Sequence, residues 1–413
     1  MTTLLVASFH NRPQLLHFEP TQDGSHALLL ETLETPDFQD YTWITAHPTI
    51  TGLFYALQRY PDKHGVLSIV HLTEDSDATG HEGSSKSRSR RLEIFKSYPS
   101  HGMDPCHLGL SSTTAGGPNK LAIANVNTSF FSLLSDEAKK RFLSTSSHFS
   151  KQYDSSTVTI YTLRTKDGMI DEDVQPEIYD LANESQAGSF EYGPNKDRQE
   201  APHPHGCFYI DGMNCFLVPD LGADKLRLIG KGKGKEQVNA ILCKKGAGPR
   251  HAVVNSEAKL AYVVNELDNT ITVHDLSQIS AQETLASYSI LPSDVAPNSA
   301  SQMNGAAISI TPDSQFIYVT NRLEANPEGD AVVGFKVLEG GKALERIGQT
   351  RTGLDHPRAA EIFVCEQDGE WYYIVGSRTE KGAAVYQVNK RTGNLKEVAR
   401  NTEVIQPSGF AVV

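Results

Sequence analysis

Short apolar runs recur along this chain in pairs, each pair separated by a polar turn. A starting strand is read at Thr42–His47, Cys106–Ser112, His205–Asp211, Arg250–Asn255, Ala306–Thr311, Arg358–Val364 and Ser408–Val413. Each has a second apolar run: Leu53–Leu57, Leu121–Asn125, Cys215–Val218, Leu260–Val264, Phe316–Thr320 and Trp371–Val375 lie downstream, and Thr3–Ala7 opens the chain. A repeating unit of short strands that cannot bury its apolar face alone must stack on its neighbours, and this pattern predicts an all-β, seven-bladed β-propeller. The chain starts on a second strand (TLLVAS) and stops on a first strand (SGFAVV). The two ends are therefore expected to share one blade and close the ring, which removes exposed sheet edges.

Composition bounds the function. The 413 residues read as a single propeller domain spanning 1–413, since closed all-β folds often run long as one unit. The net charge of -12, with no basic cluster beyond a short Lys/Arg loop, excludes a nucleic-acid surface. Five cysteines, odd in number and without a CxxC pair, together with an N-terminus lacking a basic, then apolar, leader, point to a reducing, cytoplasmic setting. No run approaches the ~18 apolar residues that cross a bilayer, so no membrane partner is expected. Two segments interrupt the repeat. Residues 75–91 are polar and Ser-rich and read as a mobile loop. The stretch 134–202 reads as an insertion with a short helix, SDEAKKRFL, N-capped by Ser135 and able to lid one mouth.

Stacking the second strands in register places Phe9, Arg59, Val126, Asp220, Glu266, Arg322 and Arg378 just past or at their ends, so charges of both signs face one rim. The starts of the first strands add His107, His205, Arg250, His251 and Arg358. The interval from His205 to Pro219 equals that from His251 to Asn265, which supports the register. Asp220 is read as ordering the loop into the next strand. One or two carboxylates among several arginines repel a hard dication, and the histidines lack zinc spacing, so no metal is expected. No cofactor is expected either: GKGKGKE at 230–236 lacks the GK[ST] ending and the following helix of a phosphate loop and reads as a solvated hairpin turn.

The segments PHPHGCFYIDGMNCFLVPDLGADKLRLI, GAGPRHAVVNSEAKLAYVVNELDNTITVHDL and AAISITPDSQFIYVTNR, with the lead-in GPNKDRQEAPHPH, resemble the seven-bladed propeller lactonases. That family includes one type of 6-phosphogluconolactonase and the carboxy-cis,cis-muconate cyclases. The resemblance implies a catalytic set of His205, Arg250, Glu266 and Arg322. Arg378, Arg358, His107 and His251 stand beside it as substrate-binding candidates, each with an alternative structural reading as a packing or rim residue. Opening a lactone develops negative charge on the carbonyl oxygen, which fixed guanidiniums stabilise. Arg250 and Arg322 fit that role, or that of a bidentate anchor for a substrate acid group. His205 or Glu266, with a pKa tuned toward neutrality, would supply acid–base chemistry. The absence of a GxSxG elbow argues against an acyl-enzyme. The chain departs from the family pattern at ASFHN and at Val126, and an apolar wall of Phe9, Val126 and Phe130 would suit a less polar substrate. The expected partner is a small anionic or lactone-type molecule. Two other readings remain: a propeller recruited as a cyclase or cycloaddition catalyst, and a non-catalytic scaffold, the latter without a WD or Kelch signature.

Overall fold

The computed structural model describes residues 1–9, 12–21, 26–33, 40–60, 64–74, 90–111, 119–126, 156–181, 193–230, 239–277, 284–295, 299–324, 326–378 and 382–413. Seven four-stranded antiparallel sheets are arranged as blades of a propeller. The innermost strands are Tyr41–Ala46, Pro105–Leu110, Phe208–Ile210, Pro249–Asn255, Asn304–Ile310, Pro357–Val364 and Pro407–Val412. Pro407–Val412 pairs with Thr2–Ser8 in the sequence of partners Leu4 to Val412 through Ala7 to Gly409, so the first and last strands share the closing blade. Among the described residues no helix is long and apolar enough to cross a membrane.

Blades cohere because alternate residues of each strand face opposite neighbours, and each interface becomes a small core. Leu4, Val6 and Phe18 of the closing blade pack with Phe363, Tyr372 and Ile374 of the preceding one. A repeated tyrosine adds a polar tie. Tyr55, Tyr262 and Tyr318 occupy the same place in their second strands, and each hydroxyl donates to a glycine carbonyl in an outer turn of the next blade, Gly168, Gly341 and Gly393, at 2.6, 2.9 and 2.7 Å. All three glycines have positive φ, which lets the carbonyl turn inward without a Cβ penalty.

A second repeated device sets the mouth. The residue before the third strand is Ser156, Asp224, Asn269 or Asp330 in four consecutive blades, and each reaches the segment that leads into the next blade's inner strand. Ser156 Oγ donates to the Pro202 carbonyl, and Asn269 Nδ2 to the Met303 carbonyl at 2.8 Å. Asp224 accepts from the Gly246 and Gly248 N–H groups at 2.6 and 2.8 Å. Asp330 accepts from Leu323, Glu324 and His356 N–H groups at 3.0, 2.8 and 2.7 Å.

The strand pairs read from the sequence all appear, with differences at the margins. Residues 75–89, the helix read at SDEAKKRFL, Phe130 and most of the 230–236 turn lie outside the described residues, whereas Arg90 and Arg91 begin the strand Arg90–Met103 and are not loop. The 134–202 stretch does more than interrupt the repeat, because Thr157–Thr162 and Glu177–Asp180 are the outer two strands of the third blade. His205 precedes its strand instead of starting it. Pro202 and Pro204 withhold the N–H groups a ladder needs, and only an isolated bridge between Pro204 and Asp220 forms there.

Asp330→Ala leaves three backbone donors without their acceptor and is expected to cost roughly 2–4 kcal/mol. Urea denaturation should show a lower midpoint at unchanged slope, with Asp330→Asn losing less because one oxygen acceptor survives.

Candidate active site

One mouth of the propeller gathers the starts of the inner strands and the ends of the second strands. Its side chains are aimed by a recurring irregularity. The ladder between first and second strands shifts register around Thr42, Cys106, Arg250 and Arg358, the second residues of their inner strands. Three of these follow a proline, as does His205 at the corresponding place. A bulge re-aims the extra residue away from the ladder, and Thr42, Cys106, His205 and Arg358 all line one cavity of about 230 Å³ at this mouth. Phe9, Arg59, Val126 and Arg378, from the ends of second strands, complete much of its wall. His107 and His251 come one residue after the bulge. They lie deeper, ring to ring at 5.1 Å and against Trp43 at 4.2 and 5.7 Å, so the structure does not bring them to the rim cavity.

Beside the cavity sits a charge cluster organised by Glu266, whose side chain is 0% exposed. Its Oε2 lies 2.9 Å from Arg250 Nε and 2.9 Å from Arg322 Nη2, while Oε1 lies 2.5 Å from Arg198 Nη2. These are close ion pairs whose angles fall short of good hydrogen bonds. Arg250 Nη1 donates to the Ala306 carbonyl at 2.7 Å and lies 3.3 Å from His251 Nε2. Arg322 Nη1 lies 3.0 Å from His356 Nε2. Across the cavity Arg59 is matched by Asp40 and Asp104 at 2.8 and 3.2 Å. Arg358 and Arg378 have no carboxylate within ion-pair distance among the described residues, and their guanidinium carbons lie 5.3 and 5.2 Å from the Phe9 ring centroid. Six arginines thus face three carboxylates.

This surplus of cations sets protonation. Burial alone would raise the Glu266 carboxyl, but Arg322, Arg198 and Arg250 outweigh it and hold the group well below the usual carboxylate range. It is a locked carboxylate, not an acid tuned toward neutrality. Burial and then Arg250 push His205 well below its ordinary value, against the smaller opposing effect of Glu266. Its Nδ1 is buried without a hydrogen-bond partner among the described residues. Burial, with Arg322, Arg378 and Arg358, holds His356 down at about 3, so its Nε2 is an acceptor for the Arg322 fork. Burial raises the Cys106 thiol to about 12, which removes it as a thiolate nucleophile. Asp220 does not face the cavity: it accepts from the His203 and Ala223 N–H groups at 2.7 and 3.0 Å and pairs with Arg227 at 2.7 Å, fixing the segment that carries His205.

Arg250, Glu266 and Arg322 are therefore one connected cluster whose field reaches His205, and His205 lines the adjoining cavity with Arg358 and Arg378. Sequence reading passed over Arg198 and His356, although both stand in quotable motifs, the GPNKDRQE lead-in and DHPR. It also passed over the acidic partners Asp40 and Asp104 and the cavity-lining Thr42 and Cys106; the proline-plus-one position was the available signal for Cys106 alone. The arrangement can hold an anion, stabilise negative charge developing on an oxygen, and accept a proton at a neutral imidazole.

Comparison with known proteins agrees with this architecture. An uncharacterized protein of Staphylococcus aureus (strain USA300) is 28% identical over 293 residues, covering 69% of this chain and 75% of that protein. Among solved structures, the periplasmic gluconolactonase of Pseudomonas aeruginosa superposes with a TM-score of 0.71 at 17% identity, over 100% of this chain and 99% of that one. A candidate 6-phosphogluconolactonase from Bacteroides fragilis gives 0.67 at 19% identity, over 100% and 98%. These likenesses establish a shared fold. The model of the family described as lactonase, seven-bladed β-propeller, matches residues 125–412, most of the chain, and the protein belongs to that family.

Proposed function

We propose that the protein is a lactonase that hydrolyses a small anionic lactone at the arginine-rich mouth. The observation that carries this reading is the pair Arg358 and Arg378, two guanidiniums without carboxylate partners among the described residues, bordering the cavity that also holds His205. Uncompensated positive charge in a low-dielectric site favours an anionic ligand, and a planar guanidinium fork matches a carboxylate or phosphate. These two arginines anchor the acid group of the substrate. Arg250 and Arg322, held by Glu266, supply positive potential where the lactone carbonyl oxygen gains charge. His205, neutral at physiological pH, accepts a proton as the oxygen of water bonds to the carbonyl carbon. The ring C–O bond then breaks and that proton passes to the departing alkoxide, giving the hydroxy acid. Phe9 and Val126 give the cavity an apolar wall. All five cysteines are free, which suits a reducing compartment, although one structurally similar protein is named periplasmic.

Ring opening of a lactone panel, including 6-phosphogluconolactone and carboxymuconolactone and corrected for spontaneous hydrolysis, tests this reading. Arg250→Ala should lower kcat by ~10²–10³-fold, and Arg378→Ala should chiefly raise KM, by about tenfold. Wild-type turnover no faster than background on every lactone would sink the proposal in favour of a cyclase or a scaffold.

The pH profile follows from the sign of the His205 shift. A base whose pKa lies below the ordinary 6.5 keeps working as pH falls through that value, so kcat/KM should stay level from pH 8 to below 6.5. An acid limb centred at or above 6.5 would remove His205 from the role.

Glu266→Gln leaves three arginines facing one another without a counter-charge and should cost roughly 3–5 kcal/mol at pH 7. The folded pKa is depressed, so this stabilisation is fully present above the ordinary value of 4.5 and declines as pH falls below it. Urea midpoints of wild type and variant should therefore converge between pH 5 and acid conditions; a gap independent of pH would contradict the assignment.

A further inference from the structure

Below the arginine mouth the inner strands of all seven blades enclose a cavity of about 530 Å³ along the central channel. Its size is that of small-ligand sites, and its character is opposite to that of the mouth. Trp43, Phe208 and Phe410 supply aromatic wall. Glu361, in the middle of Pro357–Val364, lines this space and is exposed to it. Desolvation by the protein that rings the channel raises that carboxyl to about 7, with the Ile362 N–H opposing it.

The charge at the other end of the same cavity does not neutralise it. Arg358 borders the cavity but turns its guanidinium toward Phe9, at the mouth. The channel histidines offer no cation either, since burial and then Arg250 hold His107 down at about 3 and His251 well below its ordinary value. Glu361, Trp43 and Phe410 also border a second cavity, of about 550 Å³, formed with the Thr45–Phe54 stretch and the last residues of the chain. A carboxylate and two aromatic side chains therefore meet at a junction between two cavities, away from the arginine cluster. Trp43 is held in place by donating Nε1–H to Thr45 Oγ1 at 3.0 Å and by its ring contact with His107.

We propose that the central channel binds a small organic cation, a primary or quaternary amine with an apolar body, its ammonium on Glu361 and its body against Trp43 and Phe410. A carboxylate facing a confined channel gives a charge-assisted contact, and aromatic faces attract a cation. This site is distinct from the proposed lactone site and does not depend on it.

The test titrates the full chain with 2-phenylethylamine and, separately, with its neutral counterpart 2-phenylethanol. Binding is followed by calorimetry and by tryptophan fluorescence, to which Trp43 is one of only two contributors. The amine should bind saturably, perturb the fluorescence, and bind at least tenfold more tightly than the alcohol. Glu361→Gln, checked for an unchanged circular dichroism spectrum and melting temperature, should reduce that preference to near unity. Absence of saturable amine binding, equal affinity for the alcohol, or an undiminished preference in Glu361→Gln would each overturn the proposal.

Discussion

The mouth of this propeller depends on a single buried carboxylate. Glu266 is reached by Arg198, Arg250 and Arg322, which come from different parts of the chain, and without it three guanidiniums, two of them buried, would stand together without a shared counter-charge. A buried ion cluster of this kind is a costly choice for stability alone, because desolvation of each charge offsets much of the attraction. Its physical consequence is placement. The carboxylate fixes the arginine forks in position and leaves the cluster cationic, so that positive potential is in place before a substrate arrives.

Backbone devices carry this placement back to the fold. Each inner strand must begin close to the propeller axis, and in three blades a proline followed by a bulged residue turns one side chain toward the mouth. Arg250, Arg358 and Cys106 owe their direction to that step, and His205 follows a proline ahead of its short strand. Asp224, Asn269 and Asp330 then pin the incoming segments from the preceding blade. Such contacts hold a site by rigid neighbours instead of by long loops, which is the condition for preorganised electrostatics.

The channel is polarised along its axis. Arginines dominate one end, while Glu361 stands among aromatic and aliphatic groups further in, and the neutral histidines His107 and His251 line the channel without adding charge. The same seven strands thus present two environments, one rich in arginine and one with a carboxylate among apolar groups, because successive residues on a strand alternate in direction and differ in depth.

Blade count, ring closure and the strand pairs were legible in the sequence, because period-two apolar patterning and turn residues are local and repeat seven times. The site residues His205, Arg250, Glu266 and Arg322 were legible too, since equivalent positions in a repeat converge by symmetry, aided by a family resemblance. What the sequence did not disclose was which neighbours complete the charge balance. Arg198 approaches from a segment outside any strand, and His107 and His251, one residue from the bulge, turn inward to Trp43. Nor did it disclose the outer strands Thr157–Thr162 and Glu177–Asp180, hidden within a long polar stretch. Protonation belonged wholly to the tertiary structure. Burial and the sum of surrounding charges drove Glu266 and His205 downward and Glu361 upward, and those are sums over groups that only folding brings together.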